Sequence, residues 1–167
     1  MRRMDPPEHV FVSDEEYERR RFGYEVKRSW AAYLSRYEWD SFVTLTAPMW
    51  SPSRLLVAFR GYVRHLTRAA QQPVRYFVIV ETGGSGVAHV HALLWGTARL
   101  TQPRLETGWR PGFARADAFD ETRGAAAYVT KEIEQNADEW ALSEKLPPLR
   151  APKPPVRRSS EVVAAPP

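Results

Sequence analysis

Two of the four histidines in this 167-residue chain, His89 and His91, stand one residue apart inside the apolar run "AHVHALLWG". On a strand, side chains alternate faces, so both imidazoles would point the same way, about 7 Å apart along the strand. The preceding run, "VRYFVIVE", ends on Glu81, and "TGGSGV" between the two runs reads as a hairpin turn. If the hairpin pairs Glu81 opposite His89, a carboxylate and two imidazoles share one patch of sheet. Two nitrogens and a carboxylate oxygen at that spacing suffice to hold a divalent cation with coordination positions left open. A one-residue slip would send Glu81 to the other face and dissolve the group. A His-x-His alone is more often a pair of satisfied sheet residues. An acid between "YFVIV" and a glycine turn, however, has no packing reason to be there.

The second group is "AAAYVTKEI". On a helix Tyr128 and Lys131 are one turn apart on one face, with Glu132 beside them. Their ordinary reading is a half-buried tyrosine next to a solvated lysine. Their chemical reading is a phenolate attacking phosphorus, with the ammonium orienting the phosphate. A tyrosine with a pKa near ~10 needs a neighbouring cation to ionise usefully, which a metal site and Lys131 would supply.

These groups must be positioned by the elements around them. "SDEEYERRRFGYEVKRSWAAYLSRYEW" predicts a long helix with Ser13 as N-cap and acids in its first turn. "SFVTLTAP" alternates and stops at Pro48, which predicts a strand. "SPSRLLVAFRGYVRHLTRAA" predicts a helix capped by Ser51 or Ser53 and running to about Ala70, with Leu55, Phe59, Tyr62 and Leu66 on one stripe. The hairpin follows, then one or two helical turns in "LTQPRLETGW", a short strand in "GFARADAF" and a helix over "TRGAAAYVTKEIEQNADEW". From Leu146 the chain is proline-rich and basic without periodicity, as in a flexible tail. That order, with a hairpin at its centre, predicts an α+β domain: an antiparallel sheet with helices packed on it, over residues 41–145, between a helical extension (1–40) and the tail (146–167).

Composition narrows the partners. Hydrophobic residues at 43% support a real core, and no apolar run is of membrane-spanning length. With no cysteine, disulfides and thiolate metal sites are excluded and a cytoplasmic protein is the expectation. Between Ser41 and Val80 stand five arginines, Arg54, Arg60, Arg64, Arg68 and Arg75, and no acid. Such a surplus suits a polyanion, because neutralising phosphates releases counterions, although a solvated helix face has the same look. No Gly-x-x-x-x-Gly-Lys-Ser/Thr loop occurs, so the glycines of the hairpin are read as turn formers.

In this order the residues resemble the HUH endonucleases, specifically their replication-initiator branch. "FVTLTAP" looks like that family's first motif, "HVHALLWG" with Glu81 upstream is similar to its histidine motif, and "YVTK" resembles its tyrosine motif. The resemblance spans roughly residues 40–138. It implies a ferredoxin- or RRM-like five-stranded antiparallel sheet, with His89, His91 and Glu81 binding Mg²⁺ or Mn²⁺. It implies that Tyr128 attacks single-stranded DNA to give a 5′-phosphotyrosine and a free 3′-hydroxyl, with Lys131 assisting. The outcome would be nicking and rejoining at the origin of a plasmid or phage in a bacterial host. On ligand preference alone two imidazoles and a carboxylate would suit zinc. Glu132 stands where a second tyrosine would be, so single-tyrosine chemistry is implied. No helicase motif follows, so a host helicase is an expected partner.

Other classes fit less well. A histidine-triad hydrolase needs a histidine where Leu93 stands, and two-histidine phosphodiesterases need separated His-x-Thr/Ser motifs. Conjugative relaxases carry their tyrosine ahead of the histidines. Single-tyrosine transposases of the same superfamily keep the present order. The rival from a different class is a non-catalytic RRM-like binder of single strands, stacking bases on Trp95, Tyr76 and Phe42.

Overall fold

The computed structural model describes residues 13, 25–26, 28–83, 86–120, 122 and 137–151. A helix over 28–34 (α1) precedes strand β1 (Ser41–Thr46), helix α2 (Pro52–Ala70), strands β2 (Arg75–Thr82) and β3 (Ala88–Trp95), helix α3 (Gln102–Thr107) and strands β4 (Ala114–Ala118) and β5 (Ala137–Leu142). The five strands form one antiparallel sheet in the order β4-β1-β3-β2-β5. The α+β architecture expected from the sequence is therefore the one observed.

Alternation divides the sheet into two faces. Val43 and Leu45 of β1, Val78 and Val80 of β2, and Val90, Ala92 and Leu94 of β3 point to one face, where Leu55, Phe59, Tyr62, Val63 and Leu66 of α2 bury them. Ser51 caps α2, accepting the Arg54 N–H at 3.4 Å, and Pro52 occupies the first turn, where a missing N–H costs nothing. Gln71 ends the helix in the left-handed conformation. The other face carries a second core. Phe42, Phe77, Ile79 and Leu93 are covered by Leu34 of α1 and by Trp39, with Trp30 and Tyr33 packed alongside. Leu34 and Trp39 come from the stretch read as an extension, yet they close one side of the sheet.

Three readings need correction. The first helix was expected to reach Trp39, but it stops at Leu34. The N–H groups of Arg36 and Tyr37 bond three residues back, and the Trp39 indole donates to the Leu34 carbonyl at 2.9 Å. Residues 137–140, read as the end of the last helix, belong to β5. Pairing with the exposed edge of β2 overrides the helical propensity of "ADEW". Leu149 and Arg150, read as tail, pair with Tyr37 and Arg36, and Glu38 donates to the Pro148 carbonyl. Ordered chain thus continues past Lys145 to Ala151.

Candidate active site

The registers settle which side chains meet. Glu81 lies opposite His89 and Ile79 opposite His91 across the β2–β3 hairpin, the pairing on which the carboxylate–imidazole reading depended. The turn closes through Gly83 N–H to Val87 O at 3.1 Å and Gly86 N–H to Gly83 O at 2.8 Å, with Gly86 at φ +73°, where glycine is favoured. On the other side of β3, Thr44 faces His91 and Thr46 faces His89. Directly opposed residues share a face, so this half of the sheet displays two polar rows. Thr44 and His91 form one; Thr46, His89 and Glu81 form the other. The apolar row of Phe42, Leu93 and Phe77 lies further along, under Trp39 and Leu34. A single face is thus part core and part polar surface, and the histidines stand where one gives way to the other.

The closest contact is diagonal rather than directly across. His91 Nε2 lies 3.0 Å from Glu81 Oε1, with the two side chains 16% and 13% exposed. The other imidazole nitrogen, Nδ1, is 3.3 Å from Thr44 Oγ1. The His91 ring lies nearly parallel to Phe42 on one side, at 6.0 Å and 7°, and to His89 on the other, at 6.3 Å and 14°. His89 Nε2 is turned toward the hairpin, where a β-carbon on Gly83 would stand 3.6 Å away.

Among the described residues no group of three or more His, Cys, Asp or Glu side chains stands ready to hold a metal ion. The donor chemistry nonetheless fits one. Adjacent ligands at about 2.1 Å from an octahedral cation are separated by about 3.0 Å, the spacing that the carboxylate oxygen and imidazole nitrogen already have. The pair occupies itself by direct hydrogen bonding, and His89 offers a third donor from the same face.

The remaining site residues fall in different places. Tyr128 and Lys131 lie outside the described residues. Ala137, where the description of the chain resumes, pairs with Glu81, so the segment that carries them joins the sheet beside the acid. Arg60, Arg64 and Arg68 are exposed along α2, and Arg54 stacks on Trp50 with 4.0 Å between guanidinium and ring centroid. Since α2 covers the opposite face, this arginine stripe is not adjacent to the histidines. Arg75 is tied down: its guanidinium donates to the Leu146 carbonyl and sits 5.0 Å over the Trp95 ring.

Two residues on the histidine face escaped sequence reasoning. Thr44 is one. The other is Arg115 of β4, which is opposite Thr44, exposed, and 3.0 Å from Asp117. The alternation of "ARADA" puts Arg115 and Asp117 on one face, but only the β1–β4 pairing says which.

A family model describing the replication-associated protein ORF2 matches residues 40–137. The chain belongs to that family. The match begins just before β1 and ends at the first residue of β5, so it contains the whole hairpin and the "YVTK" stretch. Membership places the chain in DNA replication. No curated protein and no solved structure shows a significant match. Among the described residues no helix is long and apolar enough to cross a membrane.

Proposed function

We propose that the chain is a metal-dependent, sequence-specific single-stranded DNA nickase and strand transferase that initiates rolling-circle replication of a plasmid or phage. The observation that carries this reading is the convergence of Glu81, His91 and His89 on one polar half-face, beside the point where the Tyr128 segment rejoins the sheet. Within a family of replication-associated proteins, carboxylate and imidazole donors beside a tyrosine serve phosphodiester transesterification better than base stacking.

His89, His91 and Glu81 would hold a Mg²⁺ or Mn²⁺ ion. That ion would polarise the scissile phosphate and stabilise charge on the leaving oxygen. Tyr128 gives up its phenolic proton and its oxygen bonds to phosphorus. The bond from phosphorus to the 3′-oxygen breaks, and that oxygen takes a proton to leave a free 3′-hydroxyl. Lys131 places a positive charge beside the phosphate or the phenolate. An incoming 3′-hydroxyl reverses these steps and joins strands, with the tyrosine regaining its proton. Duplex opening falls to a host helicase or to a target that is already single-stranded.

A purely binding protein is disfavoured by its own required residues. Phe42 is buried and Tyr76 packs edge-on against Phe59 at 5.1 Å on the α2 face, while Trp95 faces the opposite way beneath Arg75. The three rings therefore form no common platform for bases.

The test is incubation with a randomised library of single-stranded oligonucleotides and Mn²⁺, followed by denaturing electrophoresis. A covalent protein–DNA adduct is expected, lost in Tyr128→Phe and in the presence of chelator. Selection of a bound sequence that never becomes attached would overturn the nickase reading in favour of binding alone.

A further inference from the structure

The proposed metal site has a residue whose part nothing above assigns. Thr44, forty-seven positions from His91 in sequence, places its hydroxyl 3.3 Å from His91 Nδ1, while Glu81 stands 3.0 Å from Nε2. We infer that Thr44 is a positioning residue that holds the His91 imidazole in register with Glu81 both with and without a bound cation. The inference rests on the metal reading above.

The argument concerns what the hydroxyl can do that other partners cannot. Ring stacking between Phe42 and His89 fixes the plane of the His91 imidazole but leaves it free to turn within that plane. Contacts at both nitrogens remove that freedom. In the cation-free arrangement Nε2–H donates to Glu81 and Nδ1 accepts the Thr44 O–H. Once Nε2 offers its lone pair to a cation, the ring hydrogen belongs on Nδ1, and the same hydroxyl accepts it. A carbonyl or carboxylate in place of Thr44 would demand Nδ1–H at all times and leave Nε2 with no hydrogen for Glu81. A hydroxyl is both donor and acceptor, so it serves either tautomer without moving. The position also suits stiffness: a β-branched side chain on a central strand has few rotamers to choose from. Outer partners of this kind hold ligand histidines in orientation, and their loss weakens metal binding by about 10–100-fold.

The experiment measures Mn²⁺ affinity by the electron paramagnetic resonance signal of free Mn²⁺, together with the melting temperature and the ¹⁵N shifts of the His91 ring in metal-free protein. The proteins compared are wild type, Thr44→Val, Thr44→Ser and His91→Ala. Thr44→Val is expected to weaken Mn²⁺ binding by about tenfold or more, with melting close to wild type and ¹⁵N shifts moved toward a tautomer mixture. Thr44→Ser is expected to restore both readouts; Thr44→Ala substitutes for the valine variant if that one fails to fold. Equal Mn²⁺ affinity in Thr44→Val and wild type would overturn the inference, as would a serine variant as weak as the valine one. If wild type bound no Mn²⁺, or if His91→Ala bound it undiminished, the metal reading itself would fall and this inference with it.

Discussion

Asp40 shows how much of this fold rests on one side chain far from the chemistry. Its Oδ2 accepts three successive backbone N–H groups, from Gly96 at 2.6 Å, Thr97 at 2.8 Å and Ala98 at 3.2 Å. The turn can present them because Gly96 sits at φ +88°, with the Pro73 carbonyl oxygen where a β-carbon would collide with it. No other residue is tolerated there without moving backbone. Replacing Asp40 by alanine leaves those donors to whatever water reaches them and is expected to cost about 2 kcal/mol. Urea denaturation should show the midpoint falling with the m-value unchanged, and a wild-type midpoint would refute the assignment. Asp40 and Thr44 were invisible in the sequence for the same reason: each acts on a strand, or a loop following a strand, some fifty positions away. Glu81, His89 and His91 were legible because a hairpin pairs near neighbours, and the length of its turn sets the register.

At the level of elements, the strongly periodic segments were readable and the weakly patterned ones were not. The apolar stripe of α2, the alternation of β1 and the hairpin appear where the pattern put them. β5 was missed because nothing in "ADEW" favours a strand until an edge is offered to it, and its pairing is irregular between Val80 and Glu81. The short helix α3 is held to β4 by Glu106, whose Oε1 accepts from Gln102 Nε2 at 3.0 Å and from the Ala116 N–H at 3.1 Å. The Gln102 hydrogen bond first, and the Ala116 one next, lower the pKa of this carboxyl. A depressed folded-state pKa means that the tie is present above the unfolded value, near ~4.3, and is lost as pH falls through the folded one. Wild type should therefore melt above Glu106→Ala at neutral pH, and the two curves should converge under acid. A gap that stayed constant down to strongly acidic pH would remove Glu106 from this role.

Across the whole molecule, the sheet separates two surfaces that the sequence could not tell apart. The exposed Arg60, Arg64 and Arg68 ride on α2, while Glu81, His89, His91 and Arg115 look out from the other face. A strand of DNA that used both would have to pass around an edge of the sheet, so affinity and chemistry should be separable. Arg54 lies nearest the junction, because α2 starts just after β1 ends at Thr46, the residue opposite His89. Replacing Arg60, Arg64 and Arg68 together by alanine is expected to flatten the salt dependence of single-strand binding, reducing the magnitude of its log–log slope by about 2 if all three meet phosphates. The rate of adduct formation at saturating oligonucleotide should stay at the wild-type value. Arg115→Ala removes one charge beside Thr44 and is expected to slow that rate while changing the slope by less than about 1. Salt titrations of fluorescent oligonucleotide binding, run beside single-turnover adduct assays, give both numbers. An unaltered slope in the triple variant would make the α2 arginines a solubilising surface, and DNA contact would then belong to the histidine face alone.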